Sequence, residues 1–261
     1  MSVAIDARQR AMLEEMGIRL FWPESSTETE AVLVEEPVAI AEPVVEAPMR
    51  ARVPVTPATA PLARAPAVPR ESMPGIELLE WDALKQAVAD CRACKLCEGR
   101  TNTVFGVGDV QADWLVVGEA PGENEDLRGE PFVGQAGKLL DNMLAALGIS
   151  RKQHVYIANV LKCRPPGNRN PEPDGIAQCE PFLRRQVELL QPKIILAVGR
   201  FAVQTLLQTN EPIGKLRGRV HRYHDVPVVV TYHPAYLLRN LPDKAKAWQD
   251  LVLAQSVMRA A

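Results

Sequence analysis

The sequence predicts an α/β fold, with three α/β/α layers around a central, mostly parallel four-stranded sheet. From residue 76 onward, short apolar segments alternate with longer segments of helical periodicity. This strand–helix alternation is typical of parallel sheets covered by helices on both faces. A proline-rich segment separates the region from the N-terminus. The 261 residues, 47% of them hydrophobic, are sufficient to bury a sizeable core.

The first 74 residues are predicted to lie outside the folded domain, which we expect to span residues 75–261. Residues 6–22 have the apolar spacing of a short amphipathic helix, and residues 37–74 contain nine prolines and no aromatic residue. The latter composition is that of a disordered Pro/Ala-rich linker. A lone helix of this length is marginal in water. The segment is therefore interpreted either as a solvated tether or as a docking peptide for a protein partner.

The alternating region predicts its elements in order. We expect strands at 113–118, 155–160, 193–198 and 226–231, and helices at 77–90, 135–147, 174–190, 200–207 and 244–258. Parallel sheets of this kind bind ligands at the carboxyl ends of their strands. The residues at those ends are chemically unusual: Gly118-Glu119, Asn159, Gly199 and His233-Pro234. The active site is therefore expected at this edge of the sheet.

The charge of the chain is distributed unevenly. A net charge of −2 argues against a generally basic nucleic-acid binder. Residues 1–74 contain 11 acidic and 7 basic residues, so the predicted domain has a slight excess of basic residues. No apolar run of 18 residues and no secretory signal pattern is present. We expect no membrane span and a cytoplasmic location.

The five cysteines have spacings typical of metal ligands. Cys91 and Cys94 form a CxxC pair, and Cys163 and Cys179 are separated by 15 residues. In a reducing compartment such spacing favours metal binding over disulfides. Four thiolates suit tetrahedral zinc or an iron–sulfur cluster, and unligated thiols are the third alternative. We expect these four residues to be the ligands, although Cys97 could replace a neighbour.

Several segments, taken together in their order, resemble a family 4 (iron–sulfur) uracil-DNA glycosylase. The resemblance covers about residues 76–258. The matching segments are Cys91-Arg92-Ala93-Cys94, Arg100, Val104-Phe105-Gly106, Gly118-Glu119-Ala120-Pro121-Gly122, Pro131-Phe132-Val133-Gly134, Asn159, Lys162-Cys163-Arg164-Pro165 and His233-Pro234-Ala235-Tyr236-Leu237-Leu238-Arg239. The resemblance implies the uracil-DNA glycosylase fold, a 4Fe-4S cluster distant from the chemistry, and hydrolysis of the N-glycosidic bond of uracil in DNA.

The resemblance also implies how the base is recognised. An enzyme that acts on a base within a duplex must rotate that base into a pocket. Phe132 matches the stacking aromatic, and Asn159 can bind the N3–H and O4 of uracil and reject the inverted pattern of cytosine. Backbone N–H groups near Ala120 and Gly122 can approach the base. Leu237 matches the wedge that fills the gap left by the extruded base.

Two residues are expected to be catalytic. His233, as a neutral imidazole, can donate a hydrogen bond to the O2 atom of the departing uracil. Glu119 can orient the attacking water and stabilise the sugar cation, and Glu125 or Asp126 could share that role. No motif places a lysine at the sugar. We therefore expect a monofunctional enzyme that leaves an abasic site and starts base-excision repair.

Basic residues near this edge are expected to contact DNA phosphates. They are Lys215, Arg217, Arg219 and Arg222, with Lys162, Arg164, Arg169 and Arg239 on other loops. The partner is therefore uracil-containing DNA, which would bring a monomeric cytoplasmic enzyme to the nucleoid. Two alternatives remain open: a non-catalytic iron–sulfur DNA-binding module, and a related glycosylase for another damaged base.

Overall fold

A six-stranded mixed sheet forms the centre of the computed structural model, which describes residue 15 and residues 75–260. The strands are β1 (Val107–Gly108), β2 (Trp114–Gly118), β3 (Val155–Asn159), β4 (Ile194–Val198), β5 (Val220–Tyr223) and β6 (Val226–Thr231). Their order across the sheet is β1-β3-β2-β4-β6-β5. The predicted linker and, apart from Glu15, the predicted helix at 6–22 lie outside the described residues, so the division at residue 74 stays a prediction.

The four strands expected from the sequence are all present and parallel. β2 pairs with β3 and β4, and β4 pairs with β6, each in parallel register. The prediction of four strands was nevertheless incomplete, because β1 and β5 add antiparallel pairs at the two edges. Both edge strands lack the apolar run that is typical of the other four strands. β1 has only two residues, and β5 lies among the basic residues between Lys215 and Arg222.

The long helices agree with the predicted ranges within a few residues, and four short ones occupy segments without a predicted element. The helices are α1 (Trp81–Asp90), α2 (Leu96–Gly99), α3 (Glu123–Arg128), α4 (Gln135–Ala146), α5 (Pro173–Leu190), α6 (Arg200–Leu207), α7 (Ile213–Leu216), α8 (Pro234–Leu237) and α9 (Lys244–Ala260). The helix predicted at 77–90 is interrupted, because a 3-10 turn at Ile76–Leu78 precedes α1. Among these helices, none is both long and apolar enough to cross a bilayer.

Alternate residues of the parallel strands enter two separate cores, and this division gives the three layers. Leu115 and Val117 of β2 pack on one face with residues of α5 and α6. Trp114 and Val116 pack on the other face with residues of α4 and α9. Burying each such side chain contributes about 1.5–3 kcal/mol. The three-layer α/β/α arrangement is confirmed.

A third, smaller core brings the cysteine segments together. Leu84 and Val88 of α1 pack against Phe105 and against Phe182 of α5. Since α1 ends at Asp90, this packing places Cys91 beside the helix that contains Cys179.

Candidate active site

A cleft of about 810 Å³ lies at the carboxyl ends of the parallel strands, where the sequence predicted it. It is lined by residues from the ends of the four parallel strands and from the loop before α4. The predicted site residues that line it are Glu119, Ala120, Gly122, Phe132, Asn159 and His233. The fold therefore brings six residues that span more than 110 positions of the sequence into one cavity.

The carboxylate of Glu119 is anchored at the N-terminus of α6. Its Oε1 atom accepts a hydrogen bond from the backbone N–H of Phe201 at 3.1 Å. Burial raises the pKa of Glu119 above its ordinary value, and the backbone N–H groups of Phe201 and Arg200 oppose that rise. Gly199 permits this contact, because a Cβ atom there would lie 2.5 Å from Oε1.

The imidazole of His233 is held in one tautomer. Its Nδ1 atom accepts a hydrogen bond from the backbone N–H of Ala235 at 3.1 Å, in an N-cap arrangement that begins α8. Burial, together with the charge of Arg239, lowers the pKa of His233 to about 4. The ring is therefore neutral near pH 7 and carries its single proton on Nε2.

Asn159 presents a buried acceptor that lacks a partner among the described residues. The residue is 1% exposed, and its Oδ1 atom receives no hydrogen bond. Leaving such an atom unsatisfied costs about 1–3 kcal/mol. Gly118 gives the atom its space, since a Cβ atom there would lie 2.3 Å from Oδ1 and 2.7 Å from the Phe132 ring. A buried orphan acceptor at the base of a cleft is typical of a ligand site.

Phe132 lies beside the other two groups in an unusual backbone conformation. Its ring stacks on that of His233, with centroids 5.5 Å apart and planes inclined by 28°. Its φ angle is +55°, in the left-handed region. The aromatic face, the amide of Asn159 and the imidazole thus converge on one part of the cleft.

The two alternative carboxylates have other partners. Glu125 lines the cleft, but its Oε1 atom accepts hydrogen bonds from the backbone N–H groups of Val133 and Gly134. Asp126 is buried and accepts hydrogen bonds from the backbone N–H groups of Thr101 and Asn102. Of the three carboxylates, Glu119 and Glu125 line the cleft and Asp126 does not.

Comparison with known proteins identifies the family. The family model of the uracil DNA glycosylase superfamily matches residues 105–252. The chain belongs to this superfamily. The Type-4 uracil-DNA glycosylase of Archaeoglobus fulgidus is 45% identical over 165 residues, covering 60% of this chain and 82% of the relative. That of Sulfurisphaera tokodaii is 46% identical over 168 residues (61% and 76%), and that of Thermotoga maritima 41% over 187 residues (70% and 96%).

The segment of this superfamily member that follows His233 differs from the expected loop. Leu237, predicted as the DNA wedge, ends α8, is 1% exposed and packs in the core with residues of α4 and α9. This position does not fit a wedge, because the side chain would have to leave the core to reach DNA. Leu238 and Leu241 are 42% and 59% exposed. Pro234 at the start of a helical turn was the signal that the segment is not a loop.

Several basic residues of this superfamily member have partners within the protein, and three line the cleft. Arg217 pairs with the fully buried Asp250, Arg219 lies 3.7 Å from Glu211, and Arg222 donates to the carbonyl of Asp225. Arg169, Arg239 and Arg200 line the cleft. The expectation of phosphate contacts therefore does not fit Arg217. Arg200 was missed, although it directly follows the glycine at the end of β4.

Lys162 is also buried rather than available for phosphate. Its Nζ atom donates to the carbonyl of Asn159 at 2.8 Å and to Oε1 of Gln186 at 2.6 Å. Burial lowers the pKa of Lys162 to about 7, and the nearby thiols of Cys179 and Cys163 oppose that shift. The lysine connects the segment of Cys163 with the strand that ends in Asn159.

All five cysteines line a second, small cavity in this superfamily member. Among the residues that the structure describes, no group of three or more potential ligands has a preformed metal-binding arrangement. Burial raises the pKa of the Cys94 and Cys163 thiols and raises that of Cys179 to about 12. Arg100 donates from Nη1 to the sulfur of Cys163 at 3.0 Å. A cavity lined by thiols and a guanidinium fits a thiolate-bound metal group.

Proposed function

We propose that this chain is a uracil-DNA glycosylase that hydrolyses the N-glycosidic bond of uracil in DNA and so starts base-excision repair. The observation that carries the proposal is the orphan Oδ1 atom of Asn159, buried in a cleft beside Phe132 and His233. The similarity to proteins named Type-4 uracil-DNA glycosylases supports it.

Asn159 and Phe132 would recognise the base. The Oδ1 atom accepts from the N3–H of uracil, and the amide N–H donates to O4. Cytosine presents an acceptor at N3 and a donor at N4, so the same amide orientation rejects it. The Phe132 ring stacks on the pyrimidine face. Backbone N–H groups near Ala120 and Gly122 line the same part of the cleft and would approach the base from the side of α3.

His233 would stabilise the leaving group. Cleavage of the glycosidic bond places negative charge on the uracil, much of it at O2. The neutral imidazole donates a hydrogen bond from Nε2 to that oxygen and need not transfer its proton. Because Nδ1 is bound to the N–H of Ala235, the ring cannot present the wrong nitrogen without losing that hydrogen bond.

Glu119 would act on the opposite side of the sugar. With Oε1 bound at the N-terminus of α6, Oε2 is the atom that can accept a hydrogen bond from the attacking water. The ionised carboxylate also stabilises the positive charge that develops on the sugar. The helix amides favour the ionised carboxylate and oppose the effect of its burial.

DNA would reach the cleft with the uracil rotated out of the stack. The exposed Leu238 is the better wedge candidate, in place of Leu237. Arg169, Arg200 and Arg239 would contact phosphates, and their contribution should weaken with salt.

One chain supplies every proposed group, so a monomer suffices. DNA binding would bring a cytoplasmic enzyme to the nucleoid, and residues 6–22 remain a proposed docking peptide.

Cys91, Cys94, Cys163 and Cys179 would hold a 4Fe-4S cluster. The thiol-lined cavity and its proximity to Arg100 support a thiolate-bound cluster, and Cys97, which lines the same cavity, stays an alternative ligand. Such a cluster contributes structure, joining the end of α1 to the segment between Cys163 and Cys179 that contains Arg169. Iron and acid-labile sulfide analysis of purified protein distinguishes it from zinc.

The activity is tested by cleavage of a single-uracil oligonucleotide followed by mild alkali. The wild type should give a uracil-dependent nick only after alkali treatment. Glu119→Gln and His233→Ala should each slow single-turnover cleavage by about 10²- to 10⁴-fold. Glu123→Gln is the matched control, because Glu123 lies on α3 with its side chain 65% exposed.

Each contrary outcome has a defined meaning. DNA binding without cleavage by folded wild-type protein would favour the non-catalytic module. Cleavage at another damaged base but not at uracil would favour the related glycosylase. A nick without alkali would contradict a monofunctional enzyme.

A further inference from the structure

The Phe132 turn has a backbone conformation that its own sequence does not favour. Only a few per cent of non-glycine residues have a positive φ angle, and a bulky aromatic is among the least suited to one. Such conformations persist where surrounding contacts determine them, and they concentrate at functional sites. The contacts that hold this turn are therefore part of the site.

Arg151 binds the turn from its carbonyl side. Its Nη2 atom donates to the carbonyl oxygen of Phe132 at 2.9 Å, and Nη1 donates to that of Pro131 at 3.3 Å. Its Nε atom donates to Oδ1 of Asp141 on α4 at 2.7 Å, which orients the guanidinium. The arginine lies 19 residues beyond Phe132, and its side chain is largely buried.

Two further features contact the turn from other sides. Oε1 of Glu125 accepts hydrogen bonds from the N–H groups of Val133 and Gly134 on the other side of the turn. Gly137 lies directly under it, and a Cβ atom at that position would lie 1.7 Å from the Phe132 carbonyl oxygen. Of the three residues that contact the turn, Arg151 is the one that follows α4 in the chain.

We propose that Arg151 is a positioning residue for base stacking. By binding two successive carbonyl groups, it holds Phe132 at positive φ and keeps the ring where the flipped uracil must stack. The role rests on the proposed function, because it assumes that Phe132 stacks on uracil. Without Arg151 the turn can relax to negative φ, which moves the ring away from its place beside His233. Binding and cleavage would then lose a preorganised surface.

A double-mutant cycle separates this role from general stabilisation. Single-turnover cleavage is measured for the wild type, Arg151→Ala, Phe132→Ala and the double variant, with folding checked by circular dichroism. Arg151→Ala should slow cleavage about tenfold in the wild-type background and less than about twofold in the Phe132→Ala background. Lys152→Ala is the control. Lys152 is the exposed residue next to Arg151, so this variant should cleave like the wild type.

Two conservative variants keep the test valid if Arg151→Ala does not fold. Arg151→Lys retains the charge but has no planar fork to bind both carbonyls, so it should restore cleavage only in part. Asp141→Asn removes the charge that orients the guanidinium and should have a smaller effect in the same direction.

The results distinguish this inference from the proposed function. Equal slowing by Arg151→Ala in both backgrounds, or no slowing at all, overturns the role of Arg151 while leaving the glycosylase intact. Absence of cleavage by the wild type contradicts the function itself. The crystal structure of Arg151→Ala then decides the inference independently: a negative φ angle at Phe132 supports it, and an unchanged turn overturns it.

Discussion

At the residue scale, the proposed mechanism depends on two titratable groups whose pKa values are shifted by burial. The pKa of His233 falls to about 4, and that of Glu119 rises above its usual 4.5. Both shifts have the same physical cause, because burial disfavours the charged form of either group. The low pKa keeps the imidazole neutral at neutral pH, as the proposed hydrogen bond to the uracil O2 atom requires.

The pH dependence of cleavage should therefore have an acid limb that belongs to Glu119. As the pH falls, Glu119 gains a proton first and the rate falls, with a midpoint above 4.5. His233 remains neutral until about pH 4 and does not contribute to the limb above that value. Single-turnover rates across this range measure it, and the limb should be absent from the residual activity of Glu119→Gln.

A control for folding accompanies that profile, because the depressed pKa of His233 also affects stability. The unfolded histidine takes up a proton near its ordinary value of 6.5, whereas the folded one does not until about pH 4. This contribution to stability is present above pH 6.5 and is lost as the pH falls toward 4. Rates should be interpreted only where circular dichroism shows folded protein.

An acid limb that persists in Glu119→Gln would contradict the assignment of that limb to Glu119.

At the element scale, the junction between β4 and α6 positions the carboxylate of Glu119, the proposed catalytic group. Gly199 has a φ angle of +100°, and a Cβ atom there would lie within 2.5 Å of Oε1 of Glu119. Gly199→Ala should displace the carboxylate and slow cleavage by about 10²-fold, the effect expected of a misplacement near 1 Å.

Gly148 provides the matched control for this substitution. Its φ angle is also positive, at +76°, but a Cβ atom there would have no neighbour within 4 Å. Gly148→Ala therefore also places alanine at a positive φ angle, but without the clash. Thermal melts should show destabilisation of both variants, whereas single-turnover rates should show slow cleavage only for Gly199→Ala. Equal cleavage by the two variants would show that Gly199 is needed only for its backbone conformation and not to make room for Glu119.

The elements also show which parts of the fold sequence patterns could predict. The parallel strands were predictable because strands covered on both faces are apolar throughout, as in β4. The edge strand β5 has a mixed, partly exposed pattern, so its pairing depends on β6 rather than on its own residues. The burial of Leu237 depends on helical periodicity over a single turn, which is too short to be recognised with confidence from apolar spacing.

At the scale of the whole molecule, partners distant in sequence were the least predictable feature. The basic run near residue 217 suggested phosphate contacts, yet Arg217 pairs with Asp250, which lies 33 residues later on α9. No sequence pattern singled out Arg151, whose contact with Phe132 joins residues 19 positions apart. Strand ends, by contrast, were predictable, because parallel topology brings them to one edge regardless of their separation along the chain.

The central proposal for the whole molecule is that this edge of the sheet binds uracil and that Oδ1 of Asn159 is the atom that selects it. Its loss should abolish base discrimination, because a site built to bind a polar edge rejects ligands that leave its groups unpaired. Asn159→Leu is the direct variant, since leucine has nearly the same shape without the amide.

Titration calorimetry of free uracil and free cytosine with the wild type and Asn159→Leu tests this claim most directly. We predict that the wild type binds uracil at least about a hundredfold more tightly than cytosine, and that Asn159→Leu loses this preference. Equal binding of the two bases by the wild type, or an unchanged preference in Asn159→Leu, would contradict it.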